Sequence, residues 1–115
     1  MSVPRPPSQG EELMAMHLTA YKIPFVREYE FADRRRFRFD FAIGQHIAVE
    51  VEGGVWSKGR HSRGSGFTTD CIKYNLAALQ GWYVYRFTTD MVKSGEAIDT
   101  IRKALELEAE CSTSK

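Results

Sequence analysis

Two short runs, each with the two-residue alternation of a half-buried strand, constrain this chain more than anything else in it. In Phe37-Arg38-Phe39-Asp40-Phe41 the aromatic residues alternate with polar ones, which places Asp40 opposite Phe37, Phe39 and Phe41. In Ile47-Ala48-Val49-Glu50-Val51-Glu52 the same period places Glu50 and Glu52 opposite Ile47, Val49 and Val51. Gly44-Gln45 reads as a tight hairpin between the two runs, so three carboxylates are expected on one side of one sheet. Like charges about 5 Å apart repel by about 3 kcal/mol per pair at an effective dielectric of about 20. Something must compensate them, and a divalent cation is the economical answer. Hard cations such as Mg²⁺ take oxygen ligands and are held by one or two carboxylates plus substrate phosphates.

With 115 residues the chain is long enough for one domain with a single modest core. Its 16 Lys and Arg against 15 Asp and Glu leave a net charge of +1, so it is not globally a basic polyanion binder. The distribution is uneven, however. Arg34, Arg35, Arg36 and Arg38 form one basic group, Lys58, Arg60, His61 and Arg63 a second, and Glu106, Glu108 and Glu110 an acidic end. Local basic patches steer polyanions even when the sum is neutral, although arginines in a turn are equally at home in water. Cys71 and Cys111 lack the spacing of a zinc site or redox pair, which fits a free-thiol protein of the reducing cytoplasm. Residues 1–7 are proline-rich, without the apolar core of a signal peptide, and no apolar run approaches membrane-spanning length.

Ser8 and Glu11 read as a capping box that opens a helix with Leu13, Met14, Met16, Leu18 and Tyr21 as its apolar residues, ending near Pro24. Strands follow at about 25–31, 36–43 and 46–52, the first turning at Asp33-Arg34-Arg35. The segment 55–66, rich in glycine, serine and basic residues, reads as a loop. Thr68 or Thr69 then caps a helix with Asp70 in its first turn, buried through Ile72, Leu76 and Leu79 and ended by Gly81. A fourth strand at 82–88 and a last helix capped by Ser94, with Ile98, Ile101 and Leu105 inward, complete the order α-β-β-β-α-β-α. That order predicts a single α+β domain over residues 8–110, a four-stranded mixed sheet flanked by helices. Residues 1–7 and 111–115 are expected to be disordered ends.

The order, with Asp40 in the second strand and Glu50-x-Glu52 in the third, resembles the PD-(D/E)xK, or restriction-endonuclease-like, nuclease superfamily. The segment Val49-Glu50-Val51-Glu52-Gly53-Gly54-Val55-Trp56, with a later Gly81-Trp82-Tyr83-Val84, is similar to very-short-patch mismatch-repair endonucleases. The run from Gly59 to Phe67, then Asp70, Lys73, Tyr74 and Asn75, resembles small phage-type proteins of the same fold. The resemblance covers about residues 36–88. It implies Asp40 and Glu50 as ligands of a catalytic Mg²⁺ or Mn²⁺, with Glu52 where the superfamily usually has lysine, as a further ligand or a base. It also implies Lys73 as a lysine moved onto the following helix, and an acid from the first helix, for which Glu12 is the candidate because Glu11 is accounted for by capping. The competing reading of Lys73 is a solvated partner of Asp70 one turn away.

Lys58, Arg60 and Arg63 suit phosphate contacts, since a guanidinium pairs bidentately with phosphate oxygens. His61 is open between a proton-transfer group, a phosphate contact and a loop residue. Trp82 reads as core packing, and Trp56 as packing or a base-stacking platform. The resemblance thus implies a metal-dependent DNA endonuclease that can act as a homodimer. So small a fold offers little surface for base readout, which points to a nick, branch or mismatch rather than a long sequence. A non-catalytic DNA-binding protein on the same fold is the alternative, and a protein-binding module a second.

Overall fold

The computed structural model describes residues 8–32, 36–53 and 64–113. Helix α1 (Gln9–Ala20) starts at Ser8, whose Oγ accepts from the Glu11 backbone N–H at 3.1 Å. Strands β1 (Val26–Ala32), β2 (Phe37–Ile43) and β3 (Ile47–Glu52) form an antiparallel meander. Helix α2 (Gly64–Leu79) is the crossover that lets β4 (Tyr83–Thr88) run parallel to β3, and the sheet order is β1-β2-β3-β4. The chain closes with α3 (Thr89–Ser94) and α4 (Glu96–Thr113). This is the four-stranded mixed sheet flanked by helices that the sequence predicts.

The two faces of the sheet are unequal. One packs Phe41, Ile43, Ile47, Val49, Val51 and Phe87 against α1, α3 and α4, with Met14, Leu18, Val92 and Ile101 fully buried. The other is a smaller cluster of Phe39, Ala48 and Ala77, flanked by Phe31, Trp82 and Val84. Trp82 sits edge-on to Phe39 at 5.1 Å, in the packing role expected of it. Most apolar burial is therefore on the α1/α4 side, which leaves the α2 side room for polar groups.

Several boundaries move. The hairpin turn takes three residues, 44–46, with Gly44 left-handed at φ 64°. Helix α2 begins at Gly64, before Thr68 and Thr69, so Asp70 lies beyond its first turn. Its expected apolar stripe is not its buried face, because Leu79 is 84% exposed and Ile72 also faces solvent. Ala77, Lys73 and Tyr74 turn inward instead. The last helix is two: Thr88 caps α3, left-handed Gly95 (φ 91°) ends it, and the Ser94 Oγ accepts from the Glu96 N–H as α4 starts. Ile98 and Ile101 are buried as expected, and α4 runs on to Thr113, past Glu110. Residues 1–7 and Asp33-Arg34-Arg35 lie outside the described residues. Among the described residues no helix is long and apolar enough to cross a membrane.

Helix α1 approaches the sheet end closely at Gly10, where a Cβ would meet Thr89 Oγ1 at 2.7 Å and Val51 Cγ1 at 2.9 Å. Gly10→Ala is expected to lower stability by about 1 kcal/mol, because overpacking costs about 1–3 kcal/mol and outweighs the helix-propensity gain of about 1 kcal/mol. Thermal unfolding decides this: a higher Tm in the variant would mean that propensity wins and that the helix is not so tightly seated.

Candidate active site

Asp40 stands where the β2–β3 ladder stops. The paired residues are Ile43 with Ile47, Ala42 with Ala48 and Phe41 with Val49. At the next level the Asp40 side chain takes over, its Oδ2 accepting the Val51 backbone N–H at 2.8 Å. A regular strand would keep Phe39 and Phe41 on one face. Here Phe41 packs toward α1 and Phe39 toward α2, so the alternation skips at Asp40 and corrects the expected grouping of Phe37, Phe39 and Phe41 opposite it. The neighbouring strand bends at the same level. Glu28, which the β1–β2 register sets across from Asp40, has a left-handed φ of 50°. Such a conformation costs a residue with a Cβ about 1–3 kcal/mol and tends to persist where function holds it.

The bend brings acids together. Carboxylate oxygens of Glu11, Glu28 and Asp40 lie within 4.8 Å of one another. Burial pushes the Asp40 carboxyl up to about 6, with Glu11 and Glu28 adding to the rise and the Val51 N–H opposing it. The α1 acid that lies beside Asp40 is Glu11, whereas Glu12, the expected one, is exposed and paired with Arg27 at 3.0 Å. The reason is specific. Capping at Ser8 uses the Glu11 backbone N–H, not its carboxylate, so the side chain is free to reach Asp40.

Glu50 lies across the β2–β3 gap from Asp40 and is 7% exposed. Lys73 Nζ of α2 sits 2.9 Å from Glu50 Oε2, and the Tyr74 hydroxyl donates to Oε1. Burial raises the Glu50 carboxyl above its ordinary value despite Lys73 and Tyr74, and Asp40 is close enough to raise it further. Burial and the bond to Glu50 likewise push the Tyr74 hydroxyl up, so it stays protonated and remains a donor. Lys73 is thus the partner of a buried site acid rather than of Asp70. Glu52 shares the Glu50 face but turns to Arg86 of β4, whose Nε lies 3.0 Å from Glu52 Oε2. The three strand acids consequently do not form one triad: Asp40 clusters with Glu11 and Glu28, Glu50 with Lys73 and Tyr74, Glu52 with Arg86. Lys58, Arg60, His61, Arg63 and Trp56 lie outside the described residues.

Oxygen-only donors, crowded together with Glu11 and Asp40 half-buried and Glu28 exposed, and with Asp40 ionisation disfavoured by burial, are a donor set that a hard divalent cation would relieve. Glu11, Glu28, Tyr74 and Arg86 are the site residues that sequence reasoning missed.

Among solved structures, the catalytic domain of the homing endonuclease I-Bth0305I has the same fold, with a TM-score of 0.61 over 87% of this chain and 92% of that one at 17% identity. No protein-family model and no curated protein matches the sequence.

The ionisation of Asp40 gives a stability test. Its carboxyl rises from 3.8 to about 6 on folding, so the charged form is the one the fold disfavours. That cost is complete above about pH 6 and absent below about pH 4. Asp40→Asn keeps an acceptor for Val51 and removes the charge. In metal-free buffer near neutral pH it is expected to stabilise the protein by about 1–2 kcal/mol, a figure reduced for the screening of a partly exposed group. Denaturation followed from about pH 7 down toward pH 4 should find the gap between variant and parent closing. A destabilised variant at neutral pH would contradict this picture of the site.

Proposed function

We propose that this chain is a metal-dependent endodeoxyribonuclease, hydrolysing phosphodiester bonds in DNA. The observation that carries the reading is the half-buried Lys73 from α2, set on the buried Glu50 beside Asp40 at the point where two central strands part. The likeness of fold to a homing endonuclease catalytic domain supports it. Asp40 and Glu50, with Glu11 from the helix, would hold Mg²⁺ or Mn²⁺. When bound, such an ion polarises a phosphoryl oxygen and makes water a stronger nucleophile.

The chain's own groups do the rest. Lys73, whose Nζ lies 2.9 Å from Glu50 Oε2, would orient the attacking water and offset charge developing on phosphorus. Tyr74 keeps its proton through the neutral range and holds the Glu50 carboxylate in place. Glu52 serves as an auxiliary acid, its approach limited by Arg86. Lys58, Arg60, His61 and Arg63 take neighbouring phosphates. A domain this small offers little surface for reading bases, which favours a nick, branch or mismatch over a long sequence, and pairing two copies would give two cuts.

The test is cleavage of supercoiled, nicked, branched and mismatched DNA in Mg²⁺ and in Mn²⁺. Asp40→Asn and Glu50→Gln are expected to lower the rate by about a thousandfold or more, and Lys73→Met by about a hundredfold with DNA binding retained. Chelation should abolish cutting in the native protein. If the native protein binds these DNAs and cuts none in either ion, the fold carries an accessory DNA-binding role instead.

A further inference from the structure

Above, Arg86 serves only to restrain Glu52, yet it is held on three sides. Its Nε is tied to Glu52 at 3.0 Å, its guanidinium lies over the Tyr74 ring at 4.9 Å, and the β3–β4 register sets it beside Glu50. The side chain is still 51% exposed. Among the described residues its hydrogen-bonding partner is Glu52, through Nε, which leaves the Nη donors of the fork without one. A half-exposed ion pair contributes about 0–1 kcal/mol, so stability alone gives little reason for an arginine here. Its chemistry gives a better one. A guanidinium is planar, stays charged, and matches two oxygens of a phosphate at once, and stacking on a ring leaves it less freedom to lose on binding.

We infer that Arg86 forms a phosphate subsite on β4, gripping a DNA phosphodiester that flanks the one positioned at Asp40 and Glu50. The inference rests on the nuclease reading and adds a residue to it. Acids dominate the Asp40 side, where Glu11 and Glu28 crowd the carboxylate, so a polyanion needs a fixed cation on the other flank. Lys73 is set on Glu50 and given to the reacting phosphate, whereas Arg86 is oriented and accessible for a neighbouring one. Glu52 and Tyr74 are then positioning residues for the guanidinium.

The experiment uses Asp40→Asn protein, silent in cleavage, titrated with a short nicked duplex at several salt concentrations. Adding Arg86→Gln should weaken binding about tenfold and reduce the slope of log affinity against log salt by about one, the signature of one lost phosphate contact. Arg86→Lys should restore the slope but only part of the affinity. Arg102→Gln is the control, since Arg102 also lies over a tyrosine ring (Tyr21, 4.3 Å) and beside an acid, but on α4. With Asp40 restored, Arg86→Gln should raise KM more than it lowers kcat. Unchanged affinity and slope, or an equal loss from Arg102→Gln, overturns the subsite while leaving the nuclease reading intact. Absence of any DNA binding by the Asp40→Asn parent at low salt overturns both.

Discussion

A carboxylate buried in the middle of a sheet must be matched, and the match of Glu50 to Lys73 and Tyr74 organises this molecule. Leaving one member of such a pair alone in the interior costs about 3–5 kcal/mol, more than most single packing contacts contribute. That sets the rotation of α2. The helix gives up an apolar contact through Leu79, which stays exposed, in order to turn Lys73 and Tyr74 onto the sheet. Ala77, one turn on from Lys73, is small enough to let the helix lie close against Ala48 and Phe39. The ion pair therefore decides the face, and apolar packing fills in around it.

The second constraint is the break in the ladder at Asp40. A carboxylate accepts the Val51 N–H that a strand carbonyl would otherwise take, so β2 and β3 part without leaving that amide unsatisfied. Opening the sheet there costs strain at Glu28 and repulsion among Glu11, Glu28 and Asp40. These are local sacrifices of stability at one spot, carried by the large apolar cluster between the sheet and α1, α3 and α4. Sites that trade stability for chemistry have this form. The same break splits the polar face into an acidic flank near α1 and a mixed flank of Lys73, Tyr74, Glu52 and Arg86 near α2.

Much of this was legible in the residues. The period-two runs gave the strands and put Glu50 and Glu52 together, and the glycines at 44 and 81 marked the turns. What escaped was set by tertiary contacts. No sequence rule gives a left-handed glutamate inside a strand, so the face change between Phe39 and Phe41 was invisible. Spacing identified Ile72, Leu76 and Leu79 as a stripe, but only the need to match Glu50 says which way α2 turns. Capping at Ser8 accounts for Glu11 and points to Glu12, until it is known that the cap engages the Glu11 backbone N–H and leaves its carboxylate free. A lone arginine such as Arg86 looks like any solvated strand residue until β4 is paired in register with β3.

The chemistry of the site depends on Asp40 and Glu50 being carboxyl groups whose ionisation burial disfavours and a cation would favour. Titration of their side-chain carboxyl carbons by nuclear magnetic resonance, without and with Mg²⁺, measures this directly. The account predicts a metal-free midpoint for Asp40 near 6, a raised one for Glu50, and a fall in both when Mg²⁺ is added. Midpoints of ordinary solvent-exposed acids, unmoved by the ion, would contradict it.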